Sequence, residues 1–326
     1  MNGRLEKELE YEVKIKNKLT SLPEVFTEYY YSLEAEGKSY STLMNYLSHN
    51  ADFMRYFTDG VIDEQFYAQV KTTDINKYMA SIRRRTIKGK VIRTGDDIRA
   101  ARWTSIKSFF EFLKDNGYIN EDPSDKTNRP KIKTEHKVTY LTKDEIGKVL
   151  QEIKRTSTKK KLSRDLCLVS LALSTGLRVS AITQINIEDV NLNNNTIQVV
   201  EKGNKIRTIA FGDSLHTLIE QYLVDREKYF ADVDTSAMFL SQWKRRMTRQ
   251  AVGDLVSKYT AVIPDKHITP HKLRASAATN LAASGVSIQA IAKVLGHENI
   301  QTTRRYVEVL EFEKKEAINV LDNLIT

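Results

Sequence analysis

Cysteine is almost absent from this chain: Cys167 is the only one in 326 residues. A disulfide needs two, so no internal bridge can form, and a scaffold held together by disulfides is excluded. Cys167 lies in the apolar run Leu166-Cys167-Leu168-Val169 and reads as a small core residue. Nowhere do Cys and His residues cluster at metal-ligand spacing, so no metal and no cofactor is expected. Long apolar runs are missing too, and none approaches the ~20 residues that span a bilayer. No charged-then-apolar start reads as a signal peptide. The expected location is cytoplasmic, with no membrane partner.

Positive charge is abundant. The net charge is +9, and the excess is uneven. Residues 1–135 hold 23 Lys and Arg against 21 Asp and Glu, and residues 136–326 hold 28 against 21. A basic chain suits a polyanionic partner. Locally, residues 83–107 carry Arg83, Arg84, Arg85, Lys88, Lys90, Arg93, Arg99, Arg102 and Lys107 against only Asp96 and Asp97. Two readings stand for this cluster: a solvated helix end and loop, or a face that contacts phosphates.

Residues 1–18 mix Glu and Lys with sparse apolar positions and form no continuous stripe, so 1–20 reads as a polar helix or frayed arm. Residues 21–118 read as a helical domain. Pro23 suits a first helical turn, followed by Val25, Phe26, Tyr29, Tyr30 and Leu33 at helical spacing as far as Gly37. Ser39 or Ser41 caps a second helix with Leu43, Tyr46, Leu47 and Phe53 or Met54 inside. Thr72 or Thr73 opens a third helix, with Ile75, Tyr78, Met79 and Ile82. A fourth runs from about Asp96 to Asn116-Gly117, burying Ile98, Trp103, Ile106, Phe109, Phe110 and Leu113. Composition then shifts. The stretch 121–131 has two prolines and no apolar residue, and 119–140 reads as a linker.

A second domain is expected over 141–310. Thr142, with Glu145 three residues later, makes a capping-box start. The stretch Leu166 to Leu173 reads as a buried helix ended by Gly176. Ile197 to Val200 and Ile206 to Phe211 read as two strands of a hairpin. After Asp213 the pattern is helical. A tail, 311–326, places Ala317, Leu321 and Leu324 on one face; it packs on its own domain or docks on a neighbour.

Within the second domain one window gathers unusual chemistry. His271-Lys272-Leu273-Arg274 is followed by Leu295-Gly296-His297 and then by Thr302-Thr303-Arg304-Arg305-Tyr306. Three cationic or polar donors and one hydroxyl therefore share 36 residues. Donors that bind charge growing on a five-coordinate phosphorus, next to a nucleophilic oxygen, suit a phosphodiester. Singly, each element is unremarkable: most of the 15 tyrosines pack structurally, and a His-x-x-Arg pair is common by chance.

As an ordered set, HxLR, LGH and TTxxY resemble the tyrosine recombinase, or phage integrase, family. The family's earlier arginine follows a "TGLR" turn, matched by Thr175-Gly176-Leu177-Arg178. Its hairpin lysine lies in a "KGxK" turn, matched by Lys202-Gly203-Asn204-Lys205. The likeness covers about 140–310 strongly and 20–120 more weakly. It implies a mainly α fold with a small β-hairpin or sheet. A SAM-like helical core-binding domain and a mixed α/β catalytic domain would close as a C-shaped clamp on duplex DNA. Tyr306 would be the nucleophile. Arg178, Arg274, His271 and His297 would serve the phosphate, and Lys202 would protonate the departing 5′ oxygen. Arg83, Arg84, Arg85, Lys88, Arg93, Arg102, Lys205 and Arg249 would contact DNA. The implied reaction is site-specific recombination through a 3′-phosphotyrosine and a four-way junction, without metal or ATP. The implied partners are double-stranded DNA with inverted-repeat core sites and a homotetramer spanning two such sites, in the nucleoid.

Two positions depart from the family pattern. Ala181 stands where many relatives carry an acid three residues after the first arginine, and Ala275 where many carry a histidine after the second. Neither Arg178 nor Arg274 gains the usual orienting partner from those positions. Rival readings are a type IB topoisomerase-like activity, using similar chemistry to relax DNA, and a non-catalytic DNA-binding regulator on the same scaffold.

Overall fold

The computed structural model describes residues 3–60, 63–87, 89–131, 138–200, 206–230, 233, 235–297 and 299–322. The chain divides into two compact units, Met1–Thr134 and Glu135–Thr326.

The first unit is built on aromatic packing. Helices α1 (Gly3–Leu19), α2 (Val25–Ala35), α3 (Tyr40–Phe57), α4 (Thr72–Ser81) and α5 (Asp96–Asp115) enclose it. Phe26, Phe66, Phe109 and Phe110 are fully buried, and the Phe26 and Phe109 rings stack with centroids 5.0 Å apart. Ser39 is the cap that the sequence left open between two serines: its Oγ accepts from the Thr42 amide at 3.4 Å. The arm expected over 1–20 is helical, and its second half belongs to the core. Ile15 is buried among the aromatic and aliphatic side chains of the unit, with Leu19 packed beside it. One apolar side chain per few turns anchors a helix without making a visible stripe.

Between α4 and α5 the basic segment forms a two-stranded ribbon, where one of the two sequence readings had a helix end and loop. Strands β1 (Arg84–Ile87) and β2 (Lys90–Arg93) pair antiparallel, with Arg84 opposite Arg93 and Thr86 opposite Val91. All four residues of β2 are exposed. A strand exposed along its whole length, as β2 is, shows no burial alternation and so carries no strand signal in its sequence.

The stretch 122–127, within the expected linker, is fastened to α5. Lys107 Nζ donates to Asp122 at 2.8 Å and to Asp125 at 2.6 Å, and Trp103 Nε1 donates to Thr127 Oγ1 at 2.8 Å. Asp122, Ser124 and Thr127 are buried, and these bonds satisfy their polar groups.

The second unit opens with α6 (Lys143–Thr156), where Thr142 and Glu145 form the expected reciprocal cap. Next come α7 (Lys159–Thr175), α8 (Val179–Ile182), the strands β3 (Val190–Asn191), β4 (Thr196–Val200) and β5 (Ile206–Ala210), then α9 (Asp213–Phe230), α10 (Arg249–Thr260), α11 (Pro270–Ala283), α12 (Ile288–Leu295) and α13 (Gln301–Asp322). The sheet is antiparallel in the order β3-β4-β5, with Ile197 opposite Ile209. Ile197 and Val199 point into the core while Gln198 and Val200 do not, the two-residue alternation of a half-buried strand. Helix α11 packs against α7, α12 and α13. The tail expected to begin at residue 311 is continuous with the helix that carries Tyr306; no glycine or proline interrupts 301–322. No helix of the described residues is long and apolar enough to cross a membrane.

Candidate active site

Helix α7 ends at Gly176, whose φ of +60° is left-handed. A Cβ there would sit 2.4 Å from Leu295 Cδ2, so both conformation and space call for glycine. The turn buries Leu177 and puts Arg178 at the N-cap of α8.

Helix α11 starts with Pro270 in its first turn. His271 and Arg274, three apart, share one of its faces. Arg274 is only 5% exposed. Its Nη1 donates to the Gly176 carbonyl at 2.7 Å and its Nη2 to the Leu295 carbonyl at 2.8 Å. One guanidinium therefore joins the C-terminal ends of α7 and α12. Helix α12 also ends on a left-handed glycine, Gly296 with φ +67°, and the reversal delivers His297. The His297 Nδ1 pairs with the buried Thr303 Oγ1 at 2.7 Å. Its ring lies nearly parallel to that of Tyr306, with centroids 6.5 Å apart.

Tyr306 is 1% exposed and sits in a small apolar cluster with Ala275, Ala278, Ile291 and Leu295. Arg305 covers it. The Arg305 Nη2 donates to the Tyr306 hydroxyl oxygen at 2.9 Å, and its guanidinium carbon lies 4.9 Å from the ring centroid. A cation over an aromatic face is favourable, and the hydrogen bond fixes where the oxygen points.

The electrostatics are one-sided. The His297 pKa is pushed down to about 4, first by desolvation and then by Arg274, Arg178, Arg305 and Arg207. His271 is also held below its ordinary value, again by desolvation first and then by Arg274, Arg178, Arg249 and Arg305. His271 is itself partly open to solvent. Desolvation first, and then the nearby guanidiniums, favour the neutral form of both imidazoles. Ala181 and Ala275 are both buried and apolar, so no carboxylate or imidazole enters from those positions.

The structure thus brings together Arg178, His271, Arg274, His297 and Tyr306. Lys202 and Lys205 lie outside the described residues. The strands that flank them are tied close by: Arg207 on β5 donates to the carbonyls of Lys293 at 3.1 Å and Val294 at 2.8 Å, at the end of α12. Arg249, first residue of α10, is exposed, and its charge acts on His271. In the first unit Arg83, Arg84 and Arg93 are exposed, on or next to the ribbon. Arg85 belongs to β1, and Lys88 is outside the described residues. Arg102 is engaged internally, with Nη1 at 3.0 Å from Asp52 Oδ2 and 2.6 Å from the Tyr78 hydroxyl. Sequence reading missed Thr303, Arg305 and Arg207. Thr303 and Arg305 stand in the string quoted for Tyr306 and Arg207 in the strand after the lysine turn, and only the fold shows which neighbours of a motif touch it.

A model of the phage integrase family matches residues 139–312. The chain is 31% identical over 290 residues to the tyrosine recombinase XerD of Listeria innocua, covering 86% of this chain and 90% of that one. It is 28% identical to the tyrosine recombinase XerC of a Roseiflexus species, over 74% of this chain and 76% of the relative. Among solved structures, the XerH site-specific recombinase in a post-cleavage complex with palindromic difH substrate superposes with a TM-score of 0.67. That match has 20% identity and covers 88% of this chain and 82% of XerH. A lambda integrase dimer bound to a COC' core site gives 0.65 at 18% identity, over 87% of this chain and 94% of that one. These likenesses show the fold, a helical core-binding unit followed by a mixed catalytic unit. By the extent of the family match and the identity to XerD along nearly the whole chain, this protein belongs to the phage integrase family of tyrosine recombinases.

Proposed function

We propose that the chain is a site-specific DNA recombinase whose Tyr306 cleaves and rejoins duplex DNA. The observation that carries this reading is the convergence of Arg274, Arg178, Arg305 and Arg207 on His297, next to the Tyr306 ring. Such a cluster of cations calls for an anion, and a phosphodiester brings one.

In the proposed step the Tyr306 oxygen attacks phosphorus and gives up its proton to a neutral imidazole, His297 or His271. The new bond is a 3′-phosphotyrosine, and the bond to the 5′ oxygen breaks. Arg178 and Arg274 hold the non-bridging oxygens as charge builds on them. Lys202 is assigned the proton that the 5′ oxygen takes up, on its position in the sequence between β4 and β5. A 5′ hydroxyl from a partner duplex reverses the step and exchanges the strand. The guanidiniums supply the charge stabilisation that a metal would otherwise give, so neither metal nor ATP is assigned a role. Tyr306 is buried in the free chain, so attack requires Arg305 to release it and the start of α13 to shift. The exposed arginines of the β1–β2 ribbon, with Arg249, are proposed phosphate contacts.

Assembly on two DNA sites is proposed through a groove between the end of α11, the start of α12 and α13. Ala282, Val286, Ile288, Val307 and Phe312 line it. Its proposed occupant is the C-terminal end of α13 from a neighbouring protomer.

The test of the chemistry uses duplexes selected by the wild-type protein from a random pool and nicked next to the cut, with chelator present. Tyr306→Phe is expected to bind these duplexes and to form no denaturation-resistant adduct, whereas wild type forms one. An adduct in the mutant would assign the nucleophile to another residue.

A further inference from the structure

One feature of the catalytic unit takes no part in the chemistry above. Between Leu240 and Met247, both buried, the chain leaves the core as a tight turn. Leu240 and Arg246 form an antiparallel bridge across its base. Inside it the Ser241 amide donates to the Arg245 carbonyl at 2.8 Å and the Lys244 amide to the Ser241 carbonyl at 3.1 Å. Lys244 is left-handed, with φ +59°, which tightens the tip. The base is bolted down from both sides. Arg164 Nη1 donates to the Leu240 carbonyl at 2.9 Å. Arg246 donates to the carbonyls of Thr183 at 3.0 Å and Ile185 at 3.1 Å, and to Asn186 Oδ1 at 2.5 Å.

At the tip stands Trp243, 76% exposed, the most exposed of the large hydrophobic side chains among the described residues. An indole in water forgoes the favourable burial of its apolar surface, and a pinned backbone presents it with little ordering left to lose on binding. Its surroundings are basic. Lys244 and Arg245 are exposed beside it, and Lys161 Nζ reaches Gln242 Oε1 at 3.3 Å, bringing up the Lys159-Lys160-Lys161 start of α7. No acidic residue occurs in 241–249 or in 157–161. Arg246 is bonded to the segment just after α8, the helix capped by Arg178, and Arg249 lies three residues further on. The base of the turn is therefore tied to the segment that follows the helix capped by Arg178.

We propose that the Ser241–Arg246 tip is a DNA-contacting finger. Trp243 packs its apolar face against deoxyribose at the wall of a groove while Lys244 and Arg245 hold phosphates on either side. The occupant is duplex DNA flanking the cut, selected by charge: a protein partner would need a strongly acidic face to accept the same surface. This assignment rests on the recombinase reading and adds a residue to its DNA interface.

The chain has two tryptophans, and Trp103 is partly buried with its Nε1 bonded to Thr127. Trp103→Phe leaves Trp243 as the only indole emitter. Acrylamide quenching of that emission is measured with and without random-sequence duplex at low salt, where phosphate contacts alone support binding, and anisotropy confirms saturation. Trp243 is expected to become several-fold less accessible in the complex. In the otherwise wild-type chain, Trp243→Ala is expected to weaken duplex binding by roughly tenfold, the lower range for an aromatic packed on nucleic acid, while the Tyr306 adduct still forms at saturating protein. Equal quenching in free and bound states, with unchanged affinity for Trp243→Ala, would overturn the finger and leave the Tyr306 chemistry standing. Shielding that follows protein concentration without DNA would overturn it in favour of a protein interface. Failure to bind any duplex would sink both readings.

Discussion

Arg274 donates to two carbonyls that belong to the ends of two different helices. Lysine offers three donors around one point and cannot span both acceptors. Arg274→Lys is expected to leave a buried carbonyl unpaired, at a cost of about 1–3 kcal/mol, and to slow cleavage by about 100-fold, the scale for losing a preorganised donor. Thermal unfolding and single-turnover cleavage read the two effects separately. Cleavage at the wild-type rate would reduce Arg274 to a strut. His297 gives a second residue-level expectation. Its pKa is depressed from 6.5 to about 4 in the folded chain, so the unfolded chain takes up the proton first as pH falls. Stability from this group is complete above about 6.5 and drains away between there and about 4. His271 is depressed in the same direction, as is His49 in the other unit, to about 4. His297→Gln should therefore soften, not abolish, the acid loss of stability of the catalytic unit. An imidazole NMR titration of His297 that gave an ordinary midpoint would remove the converging-guanidinium picture.

At the scale of elements, helices with a wide apolar face were legible in the sequence. So was the β4–β5 hairpin, whose alternation Ile197, Val199 and Ile209 carry. The ordered motif string nominated Arg178, His271, Arg274, His297 and Tyr306, because several matches in order outweigh any single one, and the fold brings these five together. Thr303, Arg305 and Arg207 were not legible, since their roles come from ring stacking and helix-end contacts that no spacing encodes. The β1–β2 ribbon escaped for the opposite reason: with β2 exposed along its length, nothing in its pattern distinguishes strand from loop. Its exposed arginines still make a testable claim. Replacing Arg83, Arg84 and Arg93 with glutamine should flatten the dependence of duplex affinity on salt by up to about one unit of log–log slope per lost phosphate contact. Binding isotherms at several salt concentrations measure that slope. An unchanged slope would make the ribbon a solvated surface and return the electrostatics of binding to the catalytic unit.

For the whole molecule, the proposed assembly on paired DNA sites turns on α13. Phe312 is 51% exposed on α13, one turn and a half beyond the Tyr306 pocket, and faces a groove that α11 and α12 complete. A large apolar side chain rimming an apolar groove marks a surface meant to be covered. A contact in which one protomer's helix end enters the next protomer's groove is heterologous, so it closes only as a ring. The proposed contact would also act on the chemistry, because the same helix carries Tyr306 and its Arg305 cover. With the groove occupied, a shift of the first turn of α13 is expected to free the buried phenol. Phe312→Glu changes no core position, so folding and binding to a single site should persist. Higher-order complexes on paired sites should disappear, and adduct formation should fall with them, since an unassembled protomer keeps Tyr306 under Arg305. Native gel shifts and adduct yield on the same samples give both readings. Loss of assembly with full adduct yield would separate the groove from the release of Tyr306. Intact assembly would remove the groove from the interface.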